Sequence, residues 1–385
     1  MKKGLLLLTS VIMASSIFAG CSKNSASSKT IRIGVNYELT GNVATYGQSL
    51  SKGVELGFKE INKKGGILGK KIELVKKDNK SDTSETANVS SALATDKSIA
   101  LLLGPATSGD TKAASTAATQ NRIPLISASA TDDGVTIDKN GKVRDYIFKT
   151  CFSDSFQGVI MANFAYDDLK AKTAAILSDS GSDYSKGLSK SFNTKFTSLG
   201  GKIIASEAYQ STNSDFKAVL TKIKSANADI IYIPGYYESV GLIIRQAKEL
   251  GIKTPILGGD GYESPKLAEL AGKNNLGDVY YTNHYSSTDN SPEVVKFKKA
   301  FKTEYKADPD AFNALGYDLA YFAADAIKRA GSADREKIKN ALASTKNFKG
   351  VTGTITIDKK HNPVKSITVL QVKDGVPTFL KKVNP

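Results

Sequence analysis

Short β-rich runs alternate with amphipathic helical patterns along most of the chain. The run 31–35 is followed by apolar residues at helical spacing from Leu50 to Ile61, and Gly65-Gly66 ends that predicted helix. Similar apolar runs predict further buried strands at residues 72–75, 99–103, 123–127, 174–177, 203–206, 230–233 and 256–257. Strands and helices in this regular order predict an α/β fold with parallel sheets covered on both faces.

The number of predicted strands indicates two lobes. A change of pattern near residues 145–153 marks the expected start of a second sheet. We therefore expect two facing lobes, each with a doubly wound sheet and with ligand sites outside the carboxyl ends of its strands. An apolar helix face from Phe312 to Ile327, with strand patterns at 355–357 and 367–372, indicates that the chain later returns to both lobes.

The first residues have the pattern of a bacterial lipoprotein signal. A basic start at Lys2 and Lys3 precedes an apolar run too short to span a bilayer, and Phe18-Ala19-Gly20-Cys21 follows it. We expect residues 1–20 to be removed and Cys21 to carry lipid, with 21–29 as a flexible tether. The alternative is a plain secretory signal in which the cysteine occurs by chance.

Charge and cysteine content add little to this interpretation. The formal charge of +15 becomes +13 when Lys2 and Lys3 leave with the signal, but the lysines are scattered and form no long basic run. We therefore predict no nucleic-acid partner. With Cys21 lipidated, Cys151 has no partner for an intramolecular disulfide.

Motifs for catalysis, cofactors and metals are missing from the sequence. The glycine-rich segment 65–71 lacks the spacing and the final Ser or Thr of a phosphate loop, and 258–261 lacks the third glycine of a dinucleotide fingerprint. His284 and His361 lie far apart among loop-like residues, which favours surface or hinge roles. The cysteines and histidines have no metal-ligand spacing. We predict a protein that is not an enzyme and that holds no cofactor and no metal.

Polar loops at the predicted carboxyl ends of strands are the candidate ligand site. Residues 103–110 follow one strand and enter a helix at Ser108 or Gly109, where free amides and a hydroxyl favour a carboxylate. Ser108 could instead only cap that helix. Residues 127–134 follow the next strand and are again rich in hydroxyls, whereas 258–261 in the other lobe offer the carboxylate of Asp260. Hydroxyls and amides on one lobe and an acid on the other suit a zwitterion.

Many separate motifs of this chain resemble one family. They are the lipobox, 33–35 with Thr40-Gly41 and Tyr46-Gly47, 53–56, 61–67, 104–108, 124–127, Pro234-Gly235-Tyr236 and 258–261. In this order they are similar to the branched-chain amino-acid (leucine/isoleucine/valine) binding proteins of ABC importers, with the type I periplasmic-binding-protein fold. The resemblance covers residues 30–385. It implies two Rossmann-like lobes, 30–152 plus 285–348 and 153–284 plus 349–385, joined by hinge crossovers near 151–153, 283–286 and 347–353.

The resemblance also implies roles for individual residues of this chain. Ser108 and Thr131 would hold the ligand carboxylate, while the main-chain carbonyl of Ser129 and the acid of Asp260 would meet the ammonium. Glu238 and Glu263 are competing acids near Asp260 in sequence. The expected side-chain pocket is lined by Tyr46, Tyr184, Tyr236 and Phe312.

The expected protein is thus a monomeric, lipid-anchored binding protein on the extracytoplasmic face of the cell membrane. Its expected partners are an amino-acid ligand and the permease and ATPase subunits of an ABC importer. The alternatives are a binding protein for another small amino acid or amide, and a ligand sensor that signals through a membrane receptor.

Overall fold

The computed structural model describes residues 29–384, so the predicted signal, Cys21 and most of the tether lie outside the described residues. Fifteen strands and eleven α-helices follow one another in this range. The strands are β1 (Thr30–Tyr37), β2 (Lys71–Asp78), β3 (Ile99–Leu103), β4 (Leu125–Ser127), β5 (Ile147–Lys149), β6 (Thr173–Asp179), β7 (Lys202–Tyr209), β8 (Ile230–Tyr232), β9 (Ile256–Gly258), β10 (Val279–Asn283), β11 (Phe348–Gly350), β12 (Gly353–Ile357), β13 (Pro363–Val364), β14 (Ile367–Lys373) and β15 (Val376–Val383). The helices are α1 (Ala44–Lys63), α2 (Thr83–Thr95), α3 (Ser108–Gln120), α4 (Asp154–Asn163), α5 (Asp183–Ser198), α6 (Lys217–Ala226), α7 (Tyr237–Glu249), α8 (Pro265–Ala271), α9 (Pro292–Tyr305), α10 (Ala311–Ala330) and α11 (Arg335–Ala343).

The first sheet is parallel throughout, with strand order β2-β1-β3-β4-β5. Its strand order reverses between β1 and β3, and the carboxyl ends of strands at such a switch point are where open α/β sheets bind ligands. The predicted strands of this sheet are confirmed, and β5 is an additional strand that the sequence pattern did not reveal.

The second sheet repeats the same parallel order in β7-β6-β8-β9-β10 and then continues into β14 and β15. Both added strands run antiparallel to their neighbours. The expectation of purely parallel sheets is therefore wrong for this lobe, because the chain returns from the other lobe at β14 and closes the edge with a hairpin. The α/β architecture with two doubly wound lobes is confirmed.

Two strands predicted to be buried lie at sheet edges. In β2 and β7, exposed residues recur along the strand, and Ile204 is 42% exposed. An edge strand needs only one covered face, so its apolar residues need not be fully buried.

Helices α1 and α10 pack closely enough to require glycine at the contact. A Cβ atom on Gly53 would lie 2.1 Å from the carbonyl oxygen of Asn313, and one on Gly316 would lie 2.2 Å from that of Leu50. The contact between α1 and α10 attaches a late helix to the first lobe. The still later strands β14 and β15 belong to the sheet of the second lobe. The chain passes between the lobes three times. The boundaries given above for each lobe stay predictions.

Within residues 29–384, no helix is both long enough and apolar enough to span a membrane. Cys151 is a free, buried thiol, and burial raises its pKa to about 12. At neutral pH it is therefore a protonated core side chain.

Candidate functional site

A small cavity lies in the cleft, at the carboxyl ends of strands from both sheets. Its free volume is about 10 Å³, roughly the room that one water molecule needs, so a larger ligand requires the lobes or the lining side chains to move apart. Seven of the eight predicted ligand residues line it; they are Tyr46, Ser108, Ser129, Tyr184, Tyr236, Asp260 and Phe312. Thr131 is the exception. It is fully buried and directly precedes Asp132, whose backbone amide donates to the Ser108 hydroxyl.

Ser108 is the first residue of α3 but does not cap it. The cap is Thr107, whose hydroxyl oxygen accepts a hydrogen bond from the amide of Asp110 at 3.2 Å. The Ser108 hydroxyl oxygen accepts instead from the amide of Asp132 at 3.2 Å, and its own proton is left for another acceptor. The capping alternative for Ser108 is therefore wrong. The first amides of a helix have no acceptor within the helix, so the start of α3 offers donors to an anion.

Glu38 is a buried acid beside this helix start that the sequence analysis missed. Its carboxyl oxygens accept hydrogen bonds from the amides of Ala106 and Thr107 at 2.9–3.1 Å. Burial, with the charge of Asp110 as a second cause, raises the pKa of Glu38 to about 8. The group is therefore mostly protonated at neutral pH and adds little negative charge next to a bound carboxylate. Its position directly after β1, at the switch point of the sheet, is the signal that could have identified it.

The loop after β4 is held in place by a buried lysine. The ammonium of Lys149 donates to the carbonyl oxygens of Thr131 at 2.9 Å and Asp132 at 3.2 Å. The Ser129 hydroxyl donates to the carbonyl oxygen of Ala106 at 2.8 Å, which joins this loop to the one before α3. Among the described residues, the buried hydroxyl of Thr131 has no hydrogen-bond partner of good geometry. The same hydroxyl interacts with the carboxyl of Asp154 and lowers its pKa, so a ligand carboxylate would compete with Asp154 for this donor.

Asp260 forms the acidic pole of the cavity. Its side chain is 3% exposed, and its Oδ1 accepts hydrogen bonds from the amide of Gln157 at 3.0 Å and the hydroxyl of Tyr184 at 2.9 Å. Its Oδ2 lies 3.1 Å from Nε2 of His284. Burial lowers the pKa of His284 to about 4, although the bond to Asp260 opposes that shift. All three partners are thus uncharged at neutral pH, and no lysine or arginine in the described part of the chain forms an ion pair with Asp260.

A second acid lies close to Asp260. Asp154 is fully buried, and it shares the Gln157 amide with Asp260, at 3.3 Å from its Oδ1. Burial, followed by the charge of Asp260, raises the pKa of Asp154 well above its usual range. The raised pKa of Asp154 disfavours a second negative charge beside Asp260.

The two competing acids lie outside the cavity. Glu238 lines a separate groove at the cleft mouth. Glu263 accepts hydrogen bonds from the Tyr281 hydroxyl at 2.7 Å, the Asn283 amide at 2.9 Å and the backbone amide of Ala311 at 3.1 Å. Neither acid lines the cavity, so the geometry favours Asp260 as the cation partner.

The remaining walls are aromatic and come from both lobes. Tyr46 stacks on Phe312 with ring centroids 4.4 Å apart, and Tyr184 stacks on Tyr236 at 5.0 Å. Tyr46 and Tyr236 meet edge to face at 5.7 Å, so the two stacked pairs form one continuous wall. Such a wall gives an apolar ligand side chain a large contact area with little loss of rotamer entropy.

The lobes are closed on each other around this cavity. Tyr46 of the first lobe donates to the carbonyl oxygen of Gly261 in the second and accepts from the amide of Tyr237. At the cleft mouth, the ammonium of Lys112 lies 2.7 Å from Asp132 in its own lobe and 3.0 Å from Asp183 across the cleft. The site residues are therefore screened from water, which strengthens charge-assisted hydrogen bonds within the cavity.

Within residues 29–384, no group of three or more His, Cys, Asp or Glu side chains is arranged to hold a metal ion. The cleft offers hydrogen-bond donors at one pole, a carboxylate at the other and an apolar wall between them. That arrangement is complementary to a small zwitterion with an apolar side chain.

Known proteins are similar to this chain over nearly its whole length. The sequence pattern of the family described as periplasmic binding protein matches residues 30–376. The Leu/Ile/Val-binding protein homolog 1 of Brucella suis biovar 1 (strain 1330) is 31% identical over 335 residues, which are 86% of this chain and 87% of that protein.

Two solved structures share the fold in detail. The branched-chain amino acid transporter substrate-binding protein LivJ from Streptococcus pneumoniae, solved in complex with isoleucine, is 41% identical with a TM-score of 0.86 and matches 92% of this chain and 100% of that one. The leucine-binding protein LivK from Thermotoga maritima is 36% identical with a TM-score of 0.87, over 92% of this chain and 99% of that one.

Proposed function

The chain belongs to the periplasmic binding protein family, and we propose that it binds branched-chain amino acids in the cleft and delivers them to an ABC importer. The names of its relatives support the substrate class, since they include Leu/Ile/Val-binding proteins and a protein solved with isoleucine. In this role the protein performs no covalent chemistry.

The observation that carries the proposal is the buried Asp260 carboxylate, which has only uncharged partners. A buried charge without a counter-ion is unfavourable, and the ligand ammonium would supply the missing charge. Ser108, Thr131 and the amides at the start of α3 would hold the ligand carboxylate, while the carbonyl of Ser129 would assist at the ammonium.

The aromatic wall supports an apolar side chain of limited size. Tyr46, Tyr184, Tyr236 and Phe312 line the cavity together with the polar groups, and the Tyr184 hydroxyl also donates to Asp260. We expect the cleft to close around leucine, isoleucine and valine and to reject tryptophan, whose larger side chain would hold the aromatic residues of the two lobes apart.

Binding would be coupled to lobe closure. The poles lie on different lobes, so a ligand bound to one lobe gains the contacts of the other only when the cleft shuts. This differential contact is what shifts the population towards the closed form. We propose that a permease recognises that form, and that the protein acts as a monomer held near its partner by lipid on Cys21.

A calorimetric screen of the purified domain, residues 29–384, tests the ligand class. We expect saturable binding of L-leucine, L-isoleucine and L-valine, weaker binding of L-alanine, and none of L-lysine or L-tryptophan. D-leucine is a matched control, because it has the same groups but cannot place its ammonium, carboxylate and side chain together. Absence of binding to all three branched-chain amino acids would refute the proposed substrate class.

The lipid anchor needs a separate test on the full chain. Labelling with a fatty acid and partition into detergent should mark the wild type, and Cys21→Ser should lose both the label and membrane retention. Equal retention of the serine variant would refute the lipid anchor, and a wild type that is neither labelled nor retained would support the plain secretory alternative.

A further inference from the structure

His284 is a buried residue next to the cavity with no role in the proposed function so far. It follows β10 directly and is 5% exposed. It does not line the cavity, so any effect on a ligand must pass through Asp260, whose Oδ2 lies 3.1 Å from its Nε2.

The ring of His284 is a neutral donor at Nε2. Burial lowers its pKa to about 4, and the charges of Lys365 and Lys149 act in the same direction, against that of Asp260. Its Nδ1 is buried without a hydrogen-bond partner in the described part of the chain. A proton on Nδ1 would leave a buried donor unpaired, whereas a lone pair there costs less. The hydrogen is therefore assigned to Nε2, which donates to Asp260.

The ring is fixed by an aromatic contact between two segments that connect the lobes. It stacks on Phe152 with centroids 3.6 Å apart and planes 14° from parallel. Phe152 lies between β5 of the first sheet and α4 of the second lobe, and His284 lies between β10 and α9. The other two donors to Asp260, Gln157 and Tyr184, come from helices α4 and α5. His284 is thus the one of these three donors that belongs to an interlobe connection.

We infer that His284 is a positioning residue, which fixes the Asp260 carboxylate in the orientation that meets the ligand ammonium and ties that carboxylate to the connecting segments. The inference rests on the proposed function, because it presupposes a ligand with an ammonium group. Without the Nε2 donor, Oδ2 loses the one partner that it has among the described residues, and the orientation of the carboxylate then depends on the two bonds to Oδ1 alone. A hydrogen bond to a charged group of this kind corresponds to about a ten- to hundredfold change in affinity.

The variants separate the hydrogen bond from the stacking. His284→Phe keeps a flat ring against Phe152 but has no donor, whereas His284→Gln keeps a donor without the ring. His361→Phe is a matched control. His361 also stacks on a phenylalanine, Phe148, with centroids 4.1 Å apart, but its Nδ1 bonds to the backbone carbonyl oxygen of Ile147, away from the cavity.

Calorimetry compares two probes with the same carbon skeleton, L-leucine and 4-methylpentanoate, which lacks the amine. We expect His284→Phe to weaken L-leucine about tenfold or more and to change 4-methylpentanoate by less than about twofold. His284→Gln should recover most of the loss, and His361→Phe should match the wild type for both probes. In an Asp260→Asn background, His284→Phe should have no further effect on L-leucine.

Equal losses of affinity for both probes would show that His284 only maintains the fold of the cleft. Unchanged affinity for L-leucine would show that His284 has no role in binding. Either result overturns the inference.

A measurement without ligand tests the role of His284 independently of the proposed function. In wild type, nitrogen-15 spectra of the histidine rings should show His284 neutral with its hydrogen on Nε2, and Asp260→Asn should change that signal but not that of His361. A hydrogen on Nδ1 in wild type would overturn the inference even if no amino acid bound.

Discussion

Replacing Asp260 with asparagine removes the charge at the acidic pole while keeping the size of the side chain. In the wild type its two carboxylate oxygens accept from Gln157, Tyr184 and His284. Asparagine has one acceptor oxygen and one NH2 group. The oxygen is expected to face Gln157 and Tyr184, so that the NH2 group meets His284, whose Nε2 is also a donor.

The size of the effect follows from the burial of the pair. Asp260 is 3% exposed, so an ammonium bound to it would lie in a cleft that excludes water. Removing one partner of such a pair costs about 3–5 kcal/mol, because the remaining charge stays buried without compensation. At about 1.4 kcal/mol per tenfold change, affinity for L-leucine should fall at least about a hundredfold.

Titration calorimetry with L-leucine measures this loss, and small-angle scattering at rising ligand concentration measures closure. We expect Asp260→Asn to need a correspondingly higher ligand concentration before the particle becomes compact. Glu238→Gln is the matched control: it removes one negative charge on the same lobe, but Glu238 lines the groove at the cleft mouth and not the cavity.

An affinity of the Asp260→Asn variant within about threefold of wild type would refute the assignment of the ammonium partner. If Glu238→Gln then showed the large loss, the ligand would lie in the groove at the cleft mouth. Equal losses in both variants would point to the general potential of the cleft and not to a contact.

Three further predictions concern the opposite pole. Thr131→Val should weaken L-leucine by about 1.5–3 kcal/mol in calorimetry and lower the unfolding midpoint of the ligand-free protein only slightly, because the lost hydroxyl has no hydrogen-bond partner of good geometry beyond its interaction with the Asp154 carboxyl. Ser108→Ala should weaken binding by a similar amount but also destabilise the ligand-free protein by about 1 kcal/mol, since the Asp132 amide loses its acceptor. If both variants bind L-leucine as tightly as the wild type, the ligand carboxylate lies elsewhere. Glu38 has a pKa raised to about 8, so between pH 4.5 and 8 the unfolded chain releases a proton that the folded protein keeps, and this contribution to stability is lost as the pH rises. Urea unfolding should therefore show wild type losing up to about 1.4 kcal/mol per pH unit relative to Glu38→Gln in that window, and parallel curves would contradict the assignment.

The regular elements near the site were accessible from the sequence because each depends on local pattern. The strands β1, β3, β6 and β9 are short apolar runs bounded by turns, and α1 and α10 have long apolar faces. The strands β5 and β10 were missed. β5 contains the buried Lys149, and a lysine in a three-residue run does not look like a core strand.

The partners of the site residues were not accessible from the sequence, with His284 as the clearest case. Its loop-like neighbours predicted a surface or hinge role, whereas the structure shows it buried against Asp260, so the surface alternative is wrong. Glu38 and Gln157 were missed for the same reason. Gln157 is distinguished by its contact with a residue far away in the chain, whereas Glu38 has one local signal, its position directly after β1.

The sequence by itself determined the α/β class, the loops that end at the cleft, and the polar and aromatic residue types available there, because strand ends and helix starts are set by nearest neighbours along the chain. Only the tertiary structure decided how those residues combine. In the folded chain Tyr46 donates to the carbonyl oxygen of Gly261, and Asp260 lies among uncharged donors. Glu238 and Glu263 lie outside the cavity. The physical reason is that burial and long-range hydrogen bonds fix charge states and orientations, and both arise only when segments that are separated along the chain pack together.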